Sequence, residues 1–155
     1  MDVAKRFAEL SYATRLKVGA IAVKDDRIIS IGYNGTVSGW ENNCEDKVYC
    51  LSKDFNGEYF PGSEEEYPFE DELGKYKLKT KPEVIHAESN VVSKLARSPE
   101  SSVGADIFIT HAPCLDCAKL IYQSGIKRVY FNAAYRSNEG VEFLEKAGVV
   151  VIQVK

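Results

Sequence analysis

Two short segments contain residue types that could do chemistry together. One is "VIHAESN", which places His86 two positions before Glu88 at the predicted start of a helix, and the other is "HAPCLDC", which contains Cys114 and Cys117. Side chains two apart on a helix point to different sides. His86 and Glu88 can therefore act on one group only if that group lies beyond the end of the helix.

The cysteine pair indicates that this group is a metal ion. Cys114 and Cys117 are three positions apart and so share one face of a helix, and Pro113 suits the first turn. The positive end of the helix dipole lowers the pKa of thiols there, which favours the thiolate that binds metals. Together with His86 they make three soft ligands, and three protein ligands plus one water are typical of a catalytic zinc site.

We therefore predict one catalytic Zn²⁺ per chain, held by His86, Cys114 and Cys117. Glu88 is then the predicted catalytic residue, because a carboxylate beside the zinc-bound water can take its proton and deliver it to a substrate. With this assignment, the residues of both segments belong to one catalytic zinc site.

Other interpretations of these residues stay open. A C-x-x-C pair could be a thioredoxin-like redox site, although that would leave His86 and Glu88 unexplained. A structural zinc could take His111, Cys44 or Cys50 as its fourth ligand, and the last two could instead join a second zinc site. We expect these two cysteines to be ordinary loop or core residues.

Composition narrows the class of protein. The chain has 155 residues, which fits one domain, and its net charge of −3 does not favour binding to nucleic acid. It contains no apolar run near the ~18 residues that a membrane helix requires, and its first residues lack a signal-peptide core. We expect no membrane partner and a cytoplasmic location, which is the host cytoplasm if the protein is viral. In a reducing compartment a close cysteine pair more often binds metal than forms a structural disulfide.

The spacing of apolar residues predicts an α/β fold. "DVAKRFAEL" predicts a first helix that runs to about Ala13, and "KVGAIAVKDDRIISIGYNG" predicts two strands joined as a hairpin by Lys24-Asp25-Asp26. Strand–helix–strand units with short loops imply parallel pairing. We predict a three-layer α/β/α domain with a five-stranded mixed sheet, antiparallel at the hairpin and then parallel, and helices on both faces. After Pro82 the predicted elements are a helix at 86–97, then "ADIFIT", "CLDCAKLIYQSG", "KRVYF", "NEGVEFLEKAG" and "VVVIQV".

Residues 36–82 differ from the rest of the chain. They are rich in Gly, acidic residues and Tyr, and they show no lasting periodicity. A structureless stretch of this length inside a compact domain is usually functional or disordered. We interpret it as a variable insertion within a single zinc-dependent deaminase domain that spans residues 1–155, the activity being implied by the following resemblance.

His86-Ala87-Glu88 and Pro113-Cys114-Leu115-Asp116-Cys117 fit the H-x-E…P-C-x-x-C signature of zinc nucleobase deaminases. The segments "VGAIAVKDDRIISIGYNG", "HAESN" and "PCLDCAKLIYQSGIKRVYF" resemble the deoxycytidylate (dCMP) deaminases, within the zinc-dependent cytidine/deoxycytidylate deaminase family. Residues 41–80 match that family poorly, and Ser89 replaces an aliphatic residue. The resemblance implies a cytidine-deaminase-like fold and hydrolytic deamination of dCMP to dUMP and ammonia, which supplies dUMP for dTMP synthesis.

The resemblance also implies substrate contacts. Asn34 would hold the sugar hydroxyl, and the strand at Val18, Gly19 and Ala20 would line the pyrimidine. Asn34 could instead be a turn residue, and Gly19 a packing glycine. Tyr135 and Arg136 follow the fourth strand, where open α/β sheets place ligands, and they are predicted to stack on the substrate and to contact its phosphate, unless they form a solvated loop.

Regulation and assembly are implied by the same family. The resemblance implies activation by dCTP and inhibition by dTTP, each with Mg²⁺, and a homohexamer, for which the aromatic-rich segment "DFNGEYFPGSEEEYPF" is a local hint. Lys94 and Arg97 share one helix face and are the predicted allosteric cations, with Asn34 and Gly35 of "NGTVSG" offering backbone amides. The alternatives are a deaminase for another cytosine or adenine substrate on this fold, or a non-enzymatic zinc-stabilised interaction protein.

Overall fold

The structure, a computed structural model, describes residues 1–50 and 66–155. Most of the aromatic-rich segment named above lies outside these ranges. In chain order the elements are α1 (Asp2–Ala8), β1 (Gly19–Lys24), β2 (Arg27–Tyr33), β3 (Glu45–Tyr49), β4 (Phe69–Asp71), β5 (Gly74–Thr80), α2 (Ala87–Leu95), β6 (Asp106–His111), α3 (Leu115–Gln123), β7 (Arg128–Ala133), α4 (Glu139–Lys146) and β8 (Val150–Gln153).

The predicted five-stranded mixed sheet is confirmed. Its strand order is β2-β1-β6-β7-β8, with β1 antiparallel to both β2 and β6, and β6, β7 and β8 parallel to one another. Asp25 and Asp26 form the two-residue hairpin turn with φ of 48° and 58°. Aspartate is one of the few residues that tolerates this left-handed conformation, and such turns match the twist of paired strands.

Two glycines allow helices to pack closely against both faces of this sheet. Gly32 pairs with Ala20, and Gly19 pairs with Tyr33, so the two glycines lie on opposite faces. A Cβ on Gly19 would lie 2.1 Å from the carbonyl oxygen of Ala4 in α1, and a Cβ on Gly32 would lie 2.2 Å from that of Ala87 in α2. Both glycines therefore permit a helix to approach the strand closely, which confirms the three-layer arrangement.

The core lies between the sheet and the layer that contains α2, α3 and α4. Fully buried aliphatic residues from strands and helices interdigitate there, which fixes α2 beside α3. The first turns of these two helices are thus held next to each other by packing. The largest of these residues are Val91, Ile107, Ile109, Ile121, Val129 and Leu144.

The second sheet corrects the prediction for residues 36–82. This segment contains a three-stranded antiparallel sheet in the order β3-β5-β4. The missed signal is "KYKLKT", in which lysines alternate with Tyr, Leu and Thr at the period of a strand. Cys44 and Cys50 flank β3, are buried and form no disulfide, as expected of loop or core residues.

Two helices end earlier than the spacing predicts. α1 ends at Ala8 rather than near Ala13, because the chain turns there and Ser11 donates a 2.8 Å hydrogen bond to the carbonyl of Asn34. α2 ends at Leu95, so that Arg97 lies just past the helix. Within residues 1–50 and 66–155, no helix has the length and apolar character needed to cross a membrane.

Candidate active site

His86 and Glu88 can act together because they occupy different positions at the start of α2. His86 is the N-cap residue, with φ of −70° and ψ of 154°, and Glu88 lies in the first turn. An N-cap residue is extended rather than helical, so the imidazole is not tied to the helix face. The backbone just before it is fixed by paired hydrogen bonds of 2.8 and 3.1 Å between Ile85 and Gly35.

Cys114 and Cys117 approach His86 from the start of α3. Cys114 is the N-cap residue of that helix and Cys117 lies in its first turn. Their sulfur atoms lie 3.5 and 3.4 Å from Nδ1 of His86, and all three ligand atoms lie within 4.8 Å of one another.

These distances fit a zinc ion. With Zn–S near 2.3 Å and Zn–N near 2.0–2.1 Å, a tetrahedral site places sulfur and nitrogen ligands about 3.6 Å apart. His111 lines the neighbouring pocket but does not belong to this cluster, and neither do Cys44 and Cys50. Among residues 1–50 and 66–155 the cluster therefore offers three ligands, the number typical of a catalytic zinc site in which water takes the fourth position.

Hydrogen bonding among the ligands favours the metal-binding thiolate form of Cys114 and the protonated thiol form of Cys117. The bond from Cys117, followed by that from His86, lowers the pKa of the Cys114 thiol to about 4. The bond to Cys114 and burial raise the pKa of Cys117, which thus holds the shared proton. A zinc ion would replace that proton, because metal binding to thiols releases protons. Ser89, whose hydroxyl lies 3.7 Å from the sulfur of Cys117, is placed to donate to it.

The carboxylate of Glu88 is almost completely shielded from solvent. The residue is 4% exposed, and burial raises its pKa to about 7, because the charged form loses hydration. A dication beside it would oppose that rise. A group balanced between its two protonation states near neutral pH can both accept and donate a proton.

An open pocket leads to this cluster. It brings together four of the predicted substrate residues with His86, Glu88 and Cys114. The predicted substrate residues among its lining are Val18, Asn34, Tyr135 and Arg136.

Gly19 and Ala20 are not among the lining residues. Gly19 faces α1, and its N–H donates a 3.1 Å hydrogen bond to the hydroxyl of Thr110. Ala20 is fully buried in the core on the opposite face of the sheet. In this structure, therefore, both residues serve packing, and Val18 alone of the three reaches the pocket.

The side chain of Asn34 stabilises the pocket wall through hydrogen bonds. Its Oδ1 accepts a 2.7 Å hydrogen bond from the N–H of Val18, and its Nδ2 donates a 2.8 Å bond to the carbonyl of Leu16. An amide nitrogen carries two hydrogens, so the second can serve a ligand.

Two of the predicted allosteric residues, Lys94 and Arg97, are not among the residues that line this pocket. Lys94 donates a 2.9 Å hydrogen bond to the carbonyl of Ile31, and Arg97 is exposed beyond α2. The backbone N–H groups of Asn34 and Gly35 already bond to Val18 and Ile85. Those two amides therefore cannot cradle a phosphate in this structure, which counts against their predicted role.

Four further polar residues line the pocket and were not predicted to contact the substrate. Arg15 comes from the loop after α1, Glu45 and Thr80 from the second sheet, and His111 from the end of β6. Burial lowers the pKa of His111 and keeps its ring neutral. The signal for Arg15 was available in "ATRLKVGA", in which a cation comes shortly before β1.

The sequence model of the cytidine and deoxycytidylate deaminase zinc-binding region matches residues 1–133. The chain belongs to this deaminase family. The deoxycytidylate deaminase of Enterobacteria phage T4 is 33% identical over 169 aligned positions that cover 99% of this chain and 87% of the phage protein. The ComE operon protein 2 of Bacillus subtilis is 35% identical over 94% of the chain, which spans 64% of that protein's length.

A solved structure of a deaminase in this family has the same fold. The dCMP deaminase of cyanophage S-TIM5, determined in complex with dCMP and dUMP, aligns over 99% of this chain and 92% of its own with 38% identity and a TM-score of 0.75. The predicted family, fold and enzymatic nature are thereby confirmed, and the predicted zinc binding is supported by both the family and the cluster. The redox and non-enzymatic interpretations lose their basis.

Proposed function

We propose that this protein hydrolyses dCMP to dUMP and ammonia. The observation that carries the proposal is a single pocket that joins the buried Glu88 and the three-ligand cluster to the cationic side chains of Arg15 and Arg136. A zinc site suits a reacting base, and guanidinium groups suit a phosphate. The phage relatives named for dCMP deamination support this choice of substrate.

Zinc held by His86, Cys114 and Cys117 would supply the Lewis acidity that makes water nucleophilic at neutral pH. Glu88 takes one proton from the water that attacks C4 of cytosine and passes it to N3. It then carries the second proton to the amino group, so that the C4–N bond breaks and ammonia leaves. The water oxygen stays on C4 as the carbonyl of dUMP.

The pocket walls orient the nucleotide for this reaction. Asn34 offers its second amide N–H to a sugar hydroxyl, while its other bonds keep it fixed. Tyr135 stacks beside the substrate, and Arg136 lies over the Tyr135 ring with 5.9 Å between guanidinium carbon and ring centre. Arg15 and Arg136 bind the phosphate.

An activity assay with dCMP, CMP, dCTP and cytidine, each with and without a metal chelator, tests the proposal. We expect dCMP to be converted fastest, and chelation to abolish the conversion. Faster turnover of another substrate would assign the same chemistry to a different nucleotide. Full dCMP turnover by protein stripped of metal would reject the mechanism.

Regulation forms the finer part of the proposal. dCTP would activate and dTTP would inhibit, each bound with Mg²⁺ near Lys94 and Arg97. Lys94 retains two further N–H donors besides the one that bonds to Ile31, and α2 connects it to the first turn that carries Glu88. The product dUMP would supply dTMP synthesis, and the expected compartment is the cytoplasm, where the zinc-binding thiolates stay reduced.

A further inference from the structure

Glu45 is a buried carboxylate with no part in the chemistry proposed above. It is 7% exposed and begins β3. Its carboxylate accepts hydrogen bonds of 3.1 and 3.2 Å from the N–H of Thr14 and one of 3.2 Å from the N–H of Arg15. A charge is costly to bury unless it is paired or hydrogen-bonded, so the loop backbone and this side chain stabilise each other.

Thr80 holds the same loop residue by its side chain. It lies directly opposite Glu45 in the register of β3 and β5, and opposite residues of an antiparallel pair project to one face. The hydroxyl of Thr80 accepts a 3.1 Å hydrogen bond from Nη1 of Arg15. One pair of the second sheet therefore fixes both the backbone and the guanidinium of Arg15.

The first sheet holds the other side of this loop. Asn34 bonds to the carbonyl of Leu16 and to the N–H of Val18, just after Arg15, and its own carbonyl accepts the hydroxyl of Ser11, just before it. Arg15 is exposed yet held from both sides. Because the side chain is already ordered, a ligand that binds to it loses little affinity to the conformational entropy of ordering it.

We propose that Glu45 and Thr80 are positioning residues that aim Arg15 at the phosphate of a nucleoside monophosphate. This inference deepens the proposed function and rests on it. Arginine presents five N–H donors in a planar fork, so the bond to Thr80 orients the fork and leaves other donors for phosphate oxygens. The second sheet then determines preference for the phosphorylated substrate.

The test is a set of double-mutant cycles of ligand binding. The zinc-loaded protein carries Glu88→Gln in every case, so that no substrate is consumed. Dissociation constants for dCMP and for deoxycytidine are measured by calorimetry in Glu45→Gln, Thr80→Val, Arg15→Ala and each positioning variant combined with Arg15→Ala. We expect each positioning variant to weaken dCMP binding about tenfold, the scale of one charge-assisted hydrogen bond. Binding of deoxycytidine should change by less than about twofold, because it lacks the phosphate.

The decisive result is the behaviour without Arg15. In the Arg15→Ala background neither positioning variant should weaken dCMP binding further. Additive losses there, or equal losses for deoxycytidine, would overturn the proposal. Asp46→Asn is the matched control, since Asp46 is the next residue of β3, projects to the other face and pairs with Lys81 at 3.7 Å, and it should leave both dissociation constants unchanged.

Two further outcomes separate this inference from the proposed function. If Glu45→Gln fails to fold, Thr80→Val decides alone, because valine has the shape of threonine and suits a strand. Turnover by the wild-type protein is measured separately. Non-additive, phosphate-dependent binding without turnover would reject the proposed reaction and leave the positioning role, whereas turnover with additive losses would reject the positioning role alone. Failure of the zinc-loaded protein to bind dCMP would overturn both.

Discussion

Two buried carboxylates of one pocket have opposite surroundings, and this separates their roles. Glu45 accepts three backbone hydrogen bonds from the loop after α1, which stabilise its charge and suit a structural anion. Glu88 lies beside the zinc-ligand cluster, where burial raises its pKa to about 7. Glu88 can therefore exchange a proton readily near neutral pH. Residue type alone does not distinguish them; their partners do.

Glu88→Gln tests the proton-transfer role. Glutamine has nearly the same shape and still forms hydrogen bonds, but it cannot carry the proton, so kcat should fall by ~10²–10⁴-fold. Zinc content and thermal stability should match those of the wild-type protein. Turnover of dCMP within a few fold of the wild-type rate would remove Glu88 from the mechanism.

At the scale of single residues, the sequence was enough to select His86 with Glu88 and Cys114 with Cys117, because the two members of each pair lie two or three positions apart. The structure brings His86, Cys114 and Cys117 into one cluster that could hold a metal ion. The sequence was not enough to find Arg15, Glu45 and Thr80 as a group. Glu45 and Thr80 meet only through the register of β3 and β5. No local pattern encodes such a pairing.

At the scale of elements, α2 carries His86, Glu88 and Lys94, and its distance from the main sheet is set by Gly32. The five-stranded mixed sheet and the helices on both faces followed from hydrophobic periodicity and the right-handed crossover rule. The end of α1 did not, because the turn at Ser11 depends on a hydrogen bond to Asn34, which lies just past β2. Likewise, β3 joins the second sheet by pairing with β5, which is far from it in sequence.

Gly32→Ala tests whether this close approach positions α2. The added Cβ would lie 2.2 Å from the carbonyl of Ala87, so the helix must shift, at a cost of about 1–3 kcal/mol in the free energy of unfolding. Activity should fall as well, because the first turn of α2 moves. Urea unfolding and steady-state rates measure the two effects.

Gly35→Ala is the matched control for this variant. A Cβ added at Gly35 would meet no atom within 4 Å beyond its chain neighbours, and the φ of Gly35 is not in the left-handed range. The free energy of unfolding of this variant should stay within about 0.5 kcal/mol of the wild-type value. Equal losses in the two variants would show that the close approach of α2 does not account for the change.

At the scale of the whole molecule, the oligomeric state and the metal content follow least directly from the structure of one chain. On the basis of the family resemblance, we predict a homohexamer. Light scattering coupled to size exclusion, across the micromolar range, should give a mass six times the 17.3 kDa of the chain. A monomer at every concentration would contradict this prediction.

The central claim is that one zinc per chain, held by His86, Cys114 and Cys117, makes this protein a dCMP deaminase. Its most direct test is the rate of dUMP formation from dCMP as zinc is titrated into metal-free protein. The three-ligand cluster predicts a rate that rises in proportion to zinc and reaches its plateau at one equivalent per chain. A plateau only at two equivalents, or fully loaded protein that produces no dUMP, would contradict the account.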